Sequence, residues 1–338
     1  MNRPLAMSSL CALLGGCSDL PPITPAAPCK VDDDCLTGER CASQGVAEIT
    51  FEAGDTALCT PEAEVIGQDP RPWPFRAGGR PIADRLCIAQ GLARGASGAA
   101  TALRARQLQL LLAAGVKRTR IDFTWSTIEA EAGQFDFSRF DPMVDEATDA
   151  GVELIPVLGY GNPWASSLTK DDDKFPPDDP ADFASFVAAV AKRYAGRIQS
   201  YELWNEPNAG YRFFKPETHG DAAHFADILH SGAKAIRTTC PSCEIISGGL
   251  FFHEQLINGA VEFAHDMLTA RPDALEDVDA LGLHPYPLYP PKVPPENEDT
   301  GQRPLGGMVR DLERVLALHD VDLPIAATEL GWPSFGDL

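Results

Sequence analysis

Beyond about residue 70 the chain alternates two hydrophobic rhythms. Short apolar runs, as in Arg85–Ala89, Thr119–Phe123, Leu154–Leu158, Ile198–Leu203, Ile245–Gly248, Ala280–His284 and Pro324–Glu329, read as strands. Between them, apolar residues recur at helical spacing. Phe183, Phe186, Val187, Val190 and Tyr194 share one face, and Met308, Leu312, Val315 and Leu316 share another. Asp141-Pro142 and Asp179-Pro180 read as helix starts, with Asp as cap and Pro in the first turn. Pro156 is awkward inside a central strand.

Seven strands alternating with helices predict an α/β fold with a parallel sheet. The chemistry-bearing residues are spread over many strand ends, and no glycine-rich phosphate loop follows the first strand. Both features favour the eightfold (β/α)8 TIM barrel over a doubly wound sheet. The sequence stops nine residues after Glu329, before an eighth strand, so the barrel is expected to be truncated after strand seven. Such a barrel has two unpaired edges.

The N-terminus follows a different logic. Arg3, an apolar stretch through Leu14 and the sequence Leu14-Gly15-Gly16-Cys17 have the form of a bacterial lipoprotein signal. The expected organisation is residues 1–16 as signal peptide and 17–70 as tether and cysteine-rich module. Residues 71–338 then form the barrel domain. Lipidation at Cys17 implies export and anchoring in the cell envelope, at the outer membrane or cell surface. Cys29, Cys35, Cys41 and Cys59 lie in a Pro-, Asp- and Gly-rich segment and read as two disulfides of open connectivity. Cys240 and Cys243 read as a local disulfide, and Cys87 as buried without a partner.

Composition narrows the partners. Of 338 residues, 44% are hydrophobic and 23% charged, as in ordinary globular proteins, and the net charge is −21. That charge argues against nucleic acids and anionic lipid surfaces as partners and leaves a neutral ligand such as a sugar unaffected. No metal or organic cofactor is called for, and a monomer is expected.

The candidate chemistry gathers at strand ends. Arg120 lies in the second strand with Trp125 beyond it, and Asn162 and Trp164 follow the third. Asn205 and Glu206 end the fourth, His284 and Tyr286 the sixth, and Glu329 the seventh, followed by Trp332. A barrel brings these ends to one cleft. Two carboxylates facing each other suit glycosidic cleavage, one giving a proton to the leaving oxygen and the other meeting positive charge at the sugar carbon. Glu202, in the same strand as Glu206, reads as a packing or salt-bridge residue.

Asn205-Glu206-Pro207 after an apolar strand, His284-Pro285-Tyr286, and Thr328-Glu329-Leu330-Gly331-Trp332 occur in this order on successive strands. From about Phe75 onward the chain thereby resembles clan A glycoside hydrolases, families 5 and 39 above all. The resemblance implies a retaining glycosidase acting on β-linked oligo- or polysaccharides, with Glu206 as acid/base and Glu329 as nucleophile. It casts Arg120, Asn205, His284, Tyr286, Trp125, Asn162, Trp164 and Trp332 as substrate-binding residues. The alternative is a truncated, non-catalytic carbohydrate-binding surface lipoprotein.

Overall fold

The computed structural model describes residues 91–168, 172–218, 221–252, 259–286 and 305–331, together with strand segments at 10–14, 28–29, 39–42, 57–61 and 86–89. Cys17, Cys35, Trp332 and most of the Pro285–Pro304 loop lie outside the described residues, as do the side chains of Cys29, Cys41 and Cys59.

Strands β1 (Leu10–Leu14), β2 (Pro28–Cys29), β3 (Glu39–Ala42) and β4 (Ala57–Pro61) precede the barrel units. The last three form a small antiparallel sheet in the order β2-β4-β3, with Cys41 opposite Cys59 in register. Then come β5 (Leu86–Ala89), α1 (Gly98–Ala113), β6 (Arg118–Thr124), the short α2 (Trp125–Ile128) and α3 (Asp141–Asp149). β7 (Glu153–Gly159), α4 (Pro180–Arg193), β8 (Ser200–Asn205) and α5 (Asp221–Thr239) follow. The chain continues through β9 (Glu244–Phe251), α6 (Ala260–Ala270), β10 (Leu281–His284), α7 (Leu305–Leu318) and β11 (Ile325–Ala327). The strands β5 through β11 pair in chain order, each parallel to the next, and curl into a barrel.

The expected pair of open edges is filled in a way the sequence did not suggest. β1 runs antiparallel to both β5 and β11 and occupies the place between them. Edges with free N–H and C=O groups accept any apolar strand that can pair, and Leu-Cys-Ala-Leu-Leu is one. Cys87 is fully buried as expected but is disulfide-bonded, and Cys11 stands opposite it in register. Cys240 and Cys243 are joined to each other at the end of α5.

Asp179 caps α4 by accepting the Ala181 N–H at 2.9 Å, and Ser97 caps α1 through Ala100. Asp141 is the first residue of α3 rather than its cap, because its carboxylate is committed to Arg193 and the Tyr194 hydroxyl. Pro156 is accommodated because pairing with β8 begins one residue later, at Val157.

The barrel interior is layered. Cys87, Ile155, Ile246 and Ala326, from β5, β7, β9 and β11, form an apolar layer with Ala280, as alternate strands of such a barrel should. Below it Arg118 is tied to Glu153, Ser200 and Glu244. Above it stand Arg120 and Glu202. A larger cluster between sheet and helices, including Phe183, Phe186, Phe225 and Leu312, forms the outer core. Truncating Ile246 to Ala removes the largest contribution of β9 to the inner layer. It should cost about 2–5 kcal/mol in urea unfolding, and a loss below about 1 kcal/mol would show that the layer is not packed.

Candidate active site

The end of β8 leaves regular strand geometry. Trp204 and Glu206 both adopt positive φ, 75° and 46°, in a region side-chain-bearing residues seldom occupy. The surroundings over-determine this. The Trp204 indole donates to the Phe213 carbonyl at 3.0 Å and packs against Phe183, Phe214 and Tyr160. The Glu206 N–H donates to the Gly249 carbonyl. Gly248 permits the approach, since a Cβ there would lie 2.8 Å from the Leu203 carbonyl oxygen.

Arg120 is wholly buried and serves three partners. Its Nε and Nη2 donate to the two oxygens of Glu202, Nη2 also reaches Asn205 Oδ1 at 2.8 Å, and Nη1 donates to Glu329 Oε1. Burial alone would loosen the proton on Arg120. The charge and hydrogen bonds of Glu202, then the charge of Glu329, outweigh it and hold the guanidinium above its ordinary pKa.

Glu329 also accepts the Tyr286 hydroxyl at 2.7 Å. Burial pushes its carboxyl upward, but His284 and Arg120 oppose this by charge, and the bonds from Tyr286 and Arg120 add to them. The net effect holds it below the usual glutamate range. Glu206 sits differently. Its Oε1 is 2.9 Å from His284 Nδ1, and it makes no bond to arginine or lysine among the described residues. One oxygen of Glu206, one of Glu329 and a ring nitrogen of His284 lie within 4.8 Å of one another.

The barrel therefore gathers Arg120, Asn205, Glu206, His284, Tyr286 and Glu329 from four strand ends. It does not bring Trp125, Asn162 or Trp164 to them. Trp125 is buried, stacked on Phe186 at 5.5 Å, and donates to the Glu129 carboxylate. Asn162 and Trp164 both donate to the Glu129 carbonyl, at 2.7 and 3.0 Å. These three residues secure the loop after β6 through a buried acid, a role hidden in sequence because Glu129 carries no strand-end signal. Phe214, in the segment after β8, is in the core.

Three residues of the site escaped the sequence reading or were set aside by it. Glu202 is fully buried and accepts from Arg120, the Gly249 N–H and the Thr328 hydroxyl. Thr328 also contacts His284 Nε2 at 3.0 Å. The Tyr160 ring is sandwiched by Phe213 at 5.3 Å, with the Lys174 ammonium 3.6 Å from the ring centre. Its hydroxyl has no hydrogen-bond partner among the described residues. Burial, then Asp122, pushes this phenol's pKa upward, so it is a neutral donor.

No family model matches the chain, and no curated protein matches it. Among solved structures it is similar to a family 39 glycoside hydrolase of Bacteroides cellulosilyticus, at 23% identity and TM-score 0.41, over 53% of this chain and 34% of that one. It is also similar to a family 39 β-xylosidase of Caulobacter crescentus, at 16% and 0.48 over 69% and 51%. A xylanase of Paenibacillus barcinonensis matches at 14% and 0.43 over 65% of each chain. The chain thus spans between 34% and 65% of the length of these structures.

Gly249 is the tightest point of the site. A Cβ there would come within 2.2 Å of His284 Nε2 and 2.7 Å of Thr328 Oγ1. Gly249→Ala should therefore displace the imidazole and cost about 1–3 kcal/mol, read by urea unfolding with the His284 ring resonances. Unchanged stability and resonances would place the imidazole elsewhere.

Proposed function

We propose that this protein is a retaining glycosidase acting on β-linked oligo- or polysaccharides, with Glu329 as nucleophile and Glu206 as acid/base. The observation that carries this reading is the pairing of two carboxyl groups in opposite environments within 4.8 Å. Retaining enzymes hold their carboxyls about 5–5.5 Å apart, whereas inverting ones leave about 6.5–9.5 Å for a water.

Each environment suits its role. Glu329, kept ionised by Arg120 and Tyr286, can attack the anomeric carbon. Glu206, facing an imidazole instead of a fixed cation, can hold a proton for the leaving oxygen and later take one from water. Asn205 is oriented by Arg120 through its carbonyl oxygen, which leaves its amide N–H groups to donate to a sugar hydroxyl. The Tyr160 hydroxyl offers a further neutral donor. The β-configuration belongs to the same proposal and rests on the sequence motifs; export with a lipid anchor at Cys17 would remove β1 with the signal peptide and leave the edges of β5 and β11 open.

Aryl β-glycosides and β-linked polysaccharides, followed by proton NMR of the first-formed anomer, test the reaction class. Retention of configuration is expected; inversion would overturn the double displacement. Glu206→Gln and Glu329→Gln should each lower kcat by at least about 10²–10⁴-fold while the fold persists, and a variant with full turnover would remove that residue from the chemistry.

The acid limb of kcat/KM should reflect Glu329. Its depressed pKa keeps it ionised as pH falls, so activity should persist below the ordinary glutamate value of about 4.3 and be lost only as pH passes through the folded-state value. An acid limb above about 5 would contradict this assignment.

A further inference from the structure

We propose that Thr328 and Glu202 are positioning residues that fix a hydrogen on His284 Nε2 and thereby secure the proton that Glu206 delivers. This rests on the glycosidase reading above and adds to it a route by which two buried groups of the site set the protonation of the acid.

One chain of contacts fixes where the hydrogens lie. Glu202 is wholly buried and receives two N–H groups from Arg120 and one from Gly249, so it is a carboxylate and accepts only. The Thr328 hydroxyl lies 3.0 Å from Glu202 Oε1 and spends its one hydrogen there. Toward His284 Nε2, also at 3.0 Å, the Thr328 oxygen can then only accept, so Nε2 carries hydrogen.

The other ring nitrogen, Nδ1, stands 2.9 Å from Glu206 Oε1. Two bare acceptors at that distance repel, so His284 and Glu206 hold one further proton between them. Removing it leaves a carboxylate against a nitrogen lone pair, and the pair resists that loss. Without the relay the imidazole is free to place its hydrogen on Nδ1 and donate to an ionised Glu206, and the proton leaves more easily.

In the first step, the bond from the anomeric carbon to the leaving oxygen breaks as a Glu329 oxygen bonds that carbon. The shared proton ends on the leaving oxygen. Glu206, now a carboxylate facing the Nδ1 lone pair, is a stronger base for the second step. Water gives its hydroxide to the anomeric carbon, releasing Glu329, and its proton restores the shared one.

Among the described residues, the other charges near the imidazole come from β6, β8 and the segment after β11. β8 supplies Glu202 and Glu206. The residue after Thr328 supplies Glu329, whose Oε2 is 3.9 Å from Nδ1. Arg120 on β6 reaches Glu202 and Glu329, and Tyr286 lies on the same segment as His284 with ring centres 6.4 Å apart. β9 faces it with the uncharged Gly249. Substitution of Thr328 leaves all of these in place.

The experiment combines nitrogen NMR of the His284 ring in the full chain with pH profiles of kcat/KM for the parent, Thr328→Ser and Thr328→Val. In the parent and in Thr328→Ser, Nε2 should keep its hydrogen throughout the neutral range. In Thr328→Val the Nδ1–H form should appear and the alkaline limb should move down by about one pH unit, with the acid limb unmoved. A parent whose Nε2 lacks hydrogen overturns the proposal, as does a Val variant with unaltered ring signals and alkaline limb. The ring signals of the parent decide the hydrogen's position even if Thr328→Val fails to fold. A parent that cleaves no glycoside while Nε2 keeps its hydrogen sinks the glycosidase reading and leaves the relay standing.

Discussion

The arrangement depends on one buried cation. Arg120 is removed from water, a placement that costs several kcal/mol unless every donor is met. Its guanidinium meets a carboxylate within the barrel, a second at the rim and an amide between them. A planar fork can bind in three directions at once, and lysine cannot reproduce this. Charge neutrality inside the barrel therefore ties β6, β8 and the end of β11 into one geometry. The same contact that makes the buried charge tolerable also keeps the rim carboxylate ionised.

Strain at the end of β8 is the second half of that geometry. Positive φ at Trp204 and Glu206 costs about 1–3 kcal/mol per residue, and the cost is borne by dense packing around the indole. The turn aims Glu206 at His284 and away from Arg120. Two glutamates in one cleft thus acquire different surroundings, which is the usual way a fold separates an acid from a base.

Much of this was legible in the sequence. Each of the seven parallel strands was visible as an apolar run, and α4 and α7 by their period, because a sheet covered on both sides leaves a strong hydrophobic imprint. Six of the residues placed at strand ends are neighbours in space. What stayed hidden has physical reasons. Trp125 and Trp164 carry the same side chain whether they stack on a sugar or fill a core, and only burial and the Glu129 hydrogen bonds tell the two apart. Glu202 is the salt-bridge residue that the sequence suggested, paired with Arg120, but its hold on the Gly249 N–H and the Thr328 hydroxyl has no sequence signal. The pairing of β1 with β5 and β11 joins segments far apart in sequence and has no local signature.

The consecutive glycines of β9 have a consequence for how such a molecule can diversify. At Gly248 and Gly249 any side chain would strike the backbone of β8 or the imidazole, so this wall of the cleft offers no room for redesign. The loop secured by Glu129, by contrast, is held by contacts of its own and shares no hydrogen bond with the carboxylate cluster among the described residues. Changes in sequence are therefore most readily accommodated on that side, where segments can be exchanged without disturbing the carboxylate cluster.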